Sequence, residues 1–207
     1  MESLDQYLQR LSSGAPVPGG GSAAALVASC GAALVAMVAR ICEANPKYEA
    51  YRELTSRLAA ACDQMMKQLH AARDRDEKAF ARVVQAQSLP KTTDAEKEAR
   101  KRALEAALAG AAEEPLATAA IALDIVRLAA QALELPNRNL ASDIGCAIEF
   151  GYAALEACAY NVRVNHRFMP KDALVEKQEA TLRRYEDEAG KLLGKVRAAV
   201  RSLITNR

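Results

Sequence analysis

Two carboxylates, Asp76 and Asp143, stand out as groups that could move a proton or oppose a cation, and a proline-glycine segment, Pro18-Gly19-Gly20-Gly21-Ser22, stands out as one that could bind an anion. Asp76 interrupts an apolar stripe of helical spacing. It either closes the packed region or meets a helix-capping group, or it faces a site. Asp143 follows Ser142 at the expected first turn of a helix, where the dipole stabilises a carboxylate; a plain helix-start acid and a site acid both fit. The glycine segment offers free amides at a helix start, or a tight connection where backbone approaches backbone. It lacks the Lys-Ser/Thr ending of a P-loop and an upstream strand, which argues against a nucleotide.

Asn161 lies five helical turns beyond Asp143, so the two share an azimuth but stand about 27 Å apart. One small group cannot touch both. If both serve one site, Asn161 lines another part of a long ligand or belongs to a neighbouring subunit's pocket. His166, at a helix end before Arg167, reads as an exposed cap rather than an acid-base group, and His70 sits in the charged run "QLHAARDRDEK". Cys30, Cys42, Cys62, Cys146 and Cys158 form no CxxC pair and read as small core residues in a reducing compartment. With two histidines and no paired spacing, no metal site is expected. No Ser, His and acid set suggests a covalent nucleophile.

The elements that position these residues are helical. The chain has 207 residues, is 51% hydrophobic and only 4% aromatic, and no stretch alternates in the manner of a strand. An all-α fold follows, read as one helical bundle domain over residues 1–207 with a long central apolar helix and long antiparallel partners. Basic and acidic residues, 28 and 26, interleave, which leaves no broad cationic face for nucleic acid. The run "GSAAALVASCGAALVAMVA" reaches the lower edge of membrane-span length. Its many alanines, its lack of Trp or Tyr anchors and the acids that precede it favour a buried central helix over a membrane span or a signal segment.

A helix is expected over about 3–12, with a Ser3–Gln6 capping box. The glycine segment ends it, Ser22 caps the central helix, and Asn45-Pro46 closes that helix and starts one that runs from Lys47 to about Ser88. After a break at Leu89-Pro90-Lys91, Thr93 and Glu96 form a second capping box for a helix that reaches Glu114. Pro115 then starts or kinks a stretch that ends near Glu134. Residues 135–141 make a polar turn, Ser142 and Asp143 open a helix to about Asn165, and the last helix begins near Pro170. Its apolar positions from Val175 to Leu203 alternate steps of three and four, a seam for the bundle or for a subunit partner.

Taken in order, "APVPGGGSAAALVASCGAALVAMVARIC", "DEKAFARVVQAQSLPKTTDAEKEARKRAL", "EEPLATA", "NRNLASDIGCAI" and "AYNVRVNHRF" resemble the cyclodeaminase/cyclohydrolase family: the C-terminal half of formiminotransferase-cyclodeaminase and its stand-alone relatives, among them methenyltetrahydrofolate cyclohydrolases. The resemblance implies an all-helical, cytoplasmic enzyme, a homodimer or higher homo-oligomer, acting on a tetrahydrofolate derivative in a cleft at or near the subunit interface. It implies no tightly bound cofactor, no metal, no nucleic acid and no membrane. Carried over block by block, it puts Asp143 beside the one-carbon centre, Lys91 or Asp76 as proton partner, and Pro18, Gly19, Gly20, Gly21, Ser22, Lys47, Asn139, Ser142, Asn161 and Asn165 at the substrate. Where many relatives have a lysine-rich block after the central helix, this chain has "ANPKYEAY" and retains only Lys47 and Tyr48. His166 falls where relatives usually have another residue, so no catalytic role is carried to it. Without a formiminotransferase half in the sequence, the expectation leans to the cyclohydrolase, opening 5,10-methenyltetrahydrofolate to 10-formyltetrahydrofolate. The alternatives are formiminotetrahydrofolate cyclodeaminase and a non-catalytic folate-binding or structural dimer.

Overall fold

A computed structural model describes residues 2–205, and among them there is no strand. The helices are α1 (Leu4–Leu11), α2 (Gly20–Glu43), α3 (Arg52–Gln87), α4 (Asp94–Ala132), α5 (Ala141–His166) and α6 (Ala173–Thr205). Short 3₁₀ turns, Pro46–Tyr51 and Arg138–Leu140, lead into α3 and α5. Helices α2, α3, α4 and α5 form an up-down-up-down ring in which each packs on the next and α5 returns to α2; α6 covers the α4–α5 side. The small side chains of α2 also let it reach α4 across the diagonal.

Both capping boxes form as expected. Ser3 and Gln6 exchange bonds at α1, and Thr93 and Glu96 do so at α4. The α2 cap differs from the expectation. Gly19 is the capping residue and makes no side-chain bond, while Ser22 is fully buried, its hydroxyl 3.1 Å from the Tyr7 hydroxyl. Ser22 therefore ties α1 to α2, and the start of α2 is left for another group to cap. The helix expected from Lys47 begins only at Arg52, because Pro46 and the non-helical Tyr48 hold the preceding turn in 3₁₀ form.

Pro115 neither ends nor starts a helix, since α4 runs through it. A mid-helix proline leaves the carbonyl four residues earlier without its amide partner. Here that carbonyl belongs to Ala111, and the Asn165 side-chain amide donates to it at 3.0 Å, as well as to the Asn161 carbonyl at 2.8 Å. Replacing Asn165 with Leu should strand this buried acceptor and lower stability by about 1–3 kcal/mol in urea unfolding. An unchanged midpoint would show that water replaces the amide.

The α6 seam is consumed within the subunit: Gln178, Leu182, Ala189 and Val196 are buried against α4 and α5. The α6 helix starts at Ala173, later than expected, because the Asp172 carboxylate accepts from the Leu174 and Val175 amides. Cys42, Cys62 and Cys158 are buried, and burial pushes the thiols of Cys62 and Cys158 up to about 12. Cys30 and Cys146 depart from the core expectation, for both are exposed. Two helices, Gly20–Glu43 and Asp94–Ala132, are long and apolar enough to cross a membrane, and 56% of each apolar window is buried inside the bundle.

Candidate active site

One group of the site-type residues gathers around the N-terminus of α2. Its first amides have no intrahelical acceptor, and the Asp76 carboxylate, reaching from α3, accepts from the Ser22 amide at 2.9 Å. Asp76 thus supplies the cap that Gly19 cannot. Among the described residues no acceptor meets the Gly20 and Gly21 amides, so the positive end of α2 remains partly open beside the carboxylate.

Glycine is required here by close approach. A Cβ on Gly21 would lie 2.2 Å from Asp76 Oδ1, and one on Gly20 would lie 3.0 Å from the Asn161 side-chain nitrogen. Gly21→Ala should push the carboxylate off the Ser22 amide while leaving the bundle folded. Turnover should then fall about tenfold or more, with helical circular dichroism preserved; retained turnover would show that the carboxylate's position is unimportant.

Burial raises the Asp76 pKa above the ordinary carboxylate value, the Ser22 amide partly opposes this, and the charges of Glu114 and Glu77 push it further up. Those two acids are themselves paired, Glu114 with Arg75 at 2.8 Å and Glu77 with Arg10. Among the described residues Asp76 has no cation of its own. A half-buried carboxylate without a counter-ion suits a cationic ligand carbon, which would supply the missing charge. Asn161 stands opposite, its amide donated to the Ala157 carbonyl at 2.7 Å, with both its nitrogen and its oxygen within 3.3 Å of where a Gly20 Cβ would lie. Phe80, one turn beyond Asp76 on the same face of α3, is 40% exposed. Its place in the apolar stripe reads as core from sequence, yet at this level α3 buries Ala79 and Val83 instead and leaves Phe80 at the edge of the packed face.

Residues 3–184 match the family described as formiminotransferase-cyclodeaminase. The chain belongs to that family. Methenyltetrahydrofolate cyclohydrolase of Methylorubrum extorquens (strain AM1) is 34% identical over 203 residues, covering 98% of each chain. Formimidoyltransferase-cyclodeaminase of Mus musculus is 28% identical over 200 residues, 95% of this chain and 37% of the mouse protein. The crystal structure of formiminotetrahydrofolate cyclodeaminase from Thermotoga maritima, at 24% identity, has the same fold, with a TM-score of 0.77 over 94% of this chain and 97% of that one.

The family blocks divide into two groups within the subunit. Pro18, Gly19, Gly20, Gly21, Ser22, Asp76, Asn161 and Asn165 lie at the end where α2 begins and α5 finishes. Lys47, Asn139, Ser142 and Asp143 lie where α2 finishes and α5 begins, about 27 Å away along α5. Lys91 is exposed in the α3–α4 turn, beyond the last turns of α3, and Asp76 lies about 16 Å back along the helix from Gln87. Asp143 is half-buried, Ser142, Asn139 and Lys47 are exposed, and none of them meets Asp76 in the same subunit. His166 does not cap in solvent: its Nε2 lies 2.7 Å from the Gln178 side-chain oxygen, linking α5 to α6. Among the described residues no three potential metal ligands cluster.

Proposed function

We propose that the protein is a cytoplasmic methenyltetrahydrofolate cyclohydrolase, an enzyme that works as a homodimer at least. The observation that carries this reading is the Asp76 carboxylate, capping α2 with no counter-ion among the described residues beside two open amides; similarity over 98% of each chain to a cyclohydrolase supports it. The substrate, 5,10-methenyltetrahydrofolate, holds one cationic carbon between two nitrogens. Asp76 opposes that charge and takes a proton as water adds, and the raised pKa makes it a stronger base than a solvated carboxylate. The carbinol hydroxyl then forms the formyl C=O as the bond to N5 breaks, N5 takes the hydroxyl proton, and 10-formyltetrahydrofolate leaves. The Gly20 and Gly21 amides and the Asn161 carbonyl orient polar edges of the ligand, and Phe80 offers its face to a flat ring.

The purified protein should accelerate loss of the near-ultraviolet absorbance of 5,10-methenyltetrahydrofolate well above the uncatalysed rate, in buffer without detergent. Absence of acceleration would sink the reading. Release of ammonia from the formimino substrate, without hydrolysis of the methenyl compound, would instead make the protein a cyclodeaminase, as the Thermotoga maritima and mouse proteins are named. Inactivity on both would leave a folate-binding or structural dimer.

A further inference from the structure

Tyr7 is the only residue of α1 that is buried, and it meets two other helices at once. Its hydroxyl lies 3.1 Å from the Ser22 hydroxyl on α2, and the Arg73 guanidinium of α3 lies over its ring, 4.0 Å from the centroid. Arg73 Nε is buried with no hydrogen-bond partner among the described residues, so the ring face is what engages that end of the guanidinium. Both contacts sit next to Asp76. Ser22 is the residue whose amide donates to the Asp76 carboxylate at 2.9 Å, and Arg73 precedes Asp76 by one turn of α3. Two ion pairs bracket the same place: Glu2 stands 3.7 Å from Arg73, and Arg10 pairs with Glu77, the residue after Asp76. The Ser22–Asp76 bond crosses from α2 to α3, so its length depends on how those helices stand against each other. Tyr7 is fastened to both.

We propose that Tyr7 is a positioning residue for the reaction: through the Ser22 hydroxyl it fixes the first turn of α2 and so holds the Ser22 amide against the Asp76 carboxylate. The kinetic consequences rest on the cyclohydrolase reading above; the link itself rests on the contacts alone. A serine hydroxyl inside a helix ordinarily turns to a nearby backbone group, and a bond to the carbonyl of the preceding turn bends the helix. Tyr7 engages the Ser22 hydroxyl instead. The turn depends on such a tie because it opens on Gly19, Gly20 and Gly21, which resist bending least, and Gly19 supplies no side-chain cap. A tilt of this turn lengthens the bond to Asp76 and withdraws the amide from the negative charge. Among the described residues no other group around the carboxylate takes its place. Glu77 and Glu114 are acids paired with Arg10 and Arg75, the Cys158 thiol of α5 is held neutral by burial, and Arg73 is engaged by the Tyr7 ring and Glu2.

Tyr7→Phe keeps the ring beneath Arg73 and removes only the hydroxyl. It should lower kcat about tenfold with KM little changed, and it should move the acid limb of kcat/KM to higher pH, because the Ser22 amide is the group that lowers the Asp76 pKa. Ser22→Ala should do the same. The double variant should be no worse than either single one, since both changes remove one bond. If Tyr7 served only to hold α1 down, Tyr7→Phe would lower Tm and leave kcat and the acid limb where they were. That result, or losses that multiply in the double variant, would overturn the role. Hydrogen exchange tests the link in the native protein without substrate. The Tyr7 amide, bonded to the Ser3 carbonyl at 3.0 Å, reports the opening of α1, and the Ser22 amide should exchange through the same opening, with matching urea dependence. A Ser22 amide that stays protected while α1 opens would overturn the link even if the variants fail to fold. A native protein inactive on 5,10-methenyltetrahydrofolate would refute the cyclohydrolase reading instead, with the exchange result still deciding the link.

Discussion

Asp76→Asn should lower turnover of 5,10-methenyltetrahydrofolate by about a hundredfold or more without lowering Tm at neutral pH. The amide oxygen of Asn can still accept from the Ser22 amide, which Asp76 now holds at 2.9 Å. What disappears is the negative charge and the base. The stability effect follows from the direction of the pKa. Burial raises Asp76 in the folded state, so its contribution is fully present below the unfolded pKa and is lost as pH rises through the folded one. At neutral pH the ionised group is therefore a cost that Asn does not carry, and Tm should stay level or rise. In the native enzyme kcat/KM should fall as pH drops through the raised Asp76 pKa, above the ordinary carboxylate range, and this acid limb should vanish in the variant. A variant that keeps its turnover, or loses it together with its fold, would make Asp76 only the cap of α2.

Asp143→Asn should also lower turnover about a hundredfold, although Asp143 lies at the other end of the subunit from Asp76. Asn at the first turn of α5 keeps the shape and forgoes only a dipole interaction, about 0.3–1 kcal/mol, so folding should persist. His166→Gln should leave turnover near normal, because the imidazole is engaged by Gln178 at 2.7 Å between α5 and α6. Normal turnover in Asp143→Asn would confine the reaction to the α2 N-terminal group. Loss of turnover in His166→Gln with the fold intact would require a new assignment of the acid-base groups.

The sequence by itself determined the features that depend on neighbours three or four residues away. The all-α class, the Ser3–Gln6 and Thr93–Glu96 boxes, the breaks at Asn45-Pro46 and Leu89-Pro90, and the buried stripe of α6 all follow from helical period and local side-chain reach. The motif blocks also pointed to the folate family. Tertiary structure decided what partners distant in the chain supply. Ser22 is a buried tie because Tyr7 lies against it, and α2 is capped from α3 by Asp76, 54 positions away. Pro115 stays helical because Asn165, again from another helix, takes the carbonyl it leaves unpaired. The same holds for exposure: a period of 3.6 sets the direction of Phe80, Cys30 and Cys146, but only tertiary packing decides whether a helix stands in that direction. The two-group arrangement of the site residues likewise depends on α2 and α5 packing antiparallel, while the separation of about 27 Å between Asp143 and Asn161 along α5 was legible from their spacing.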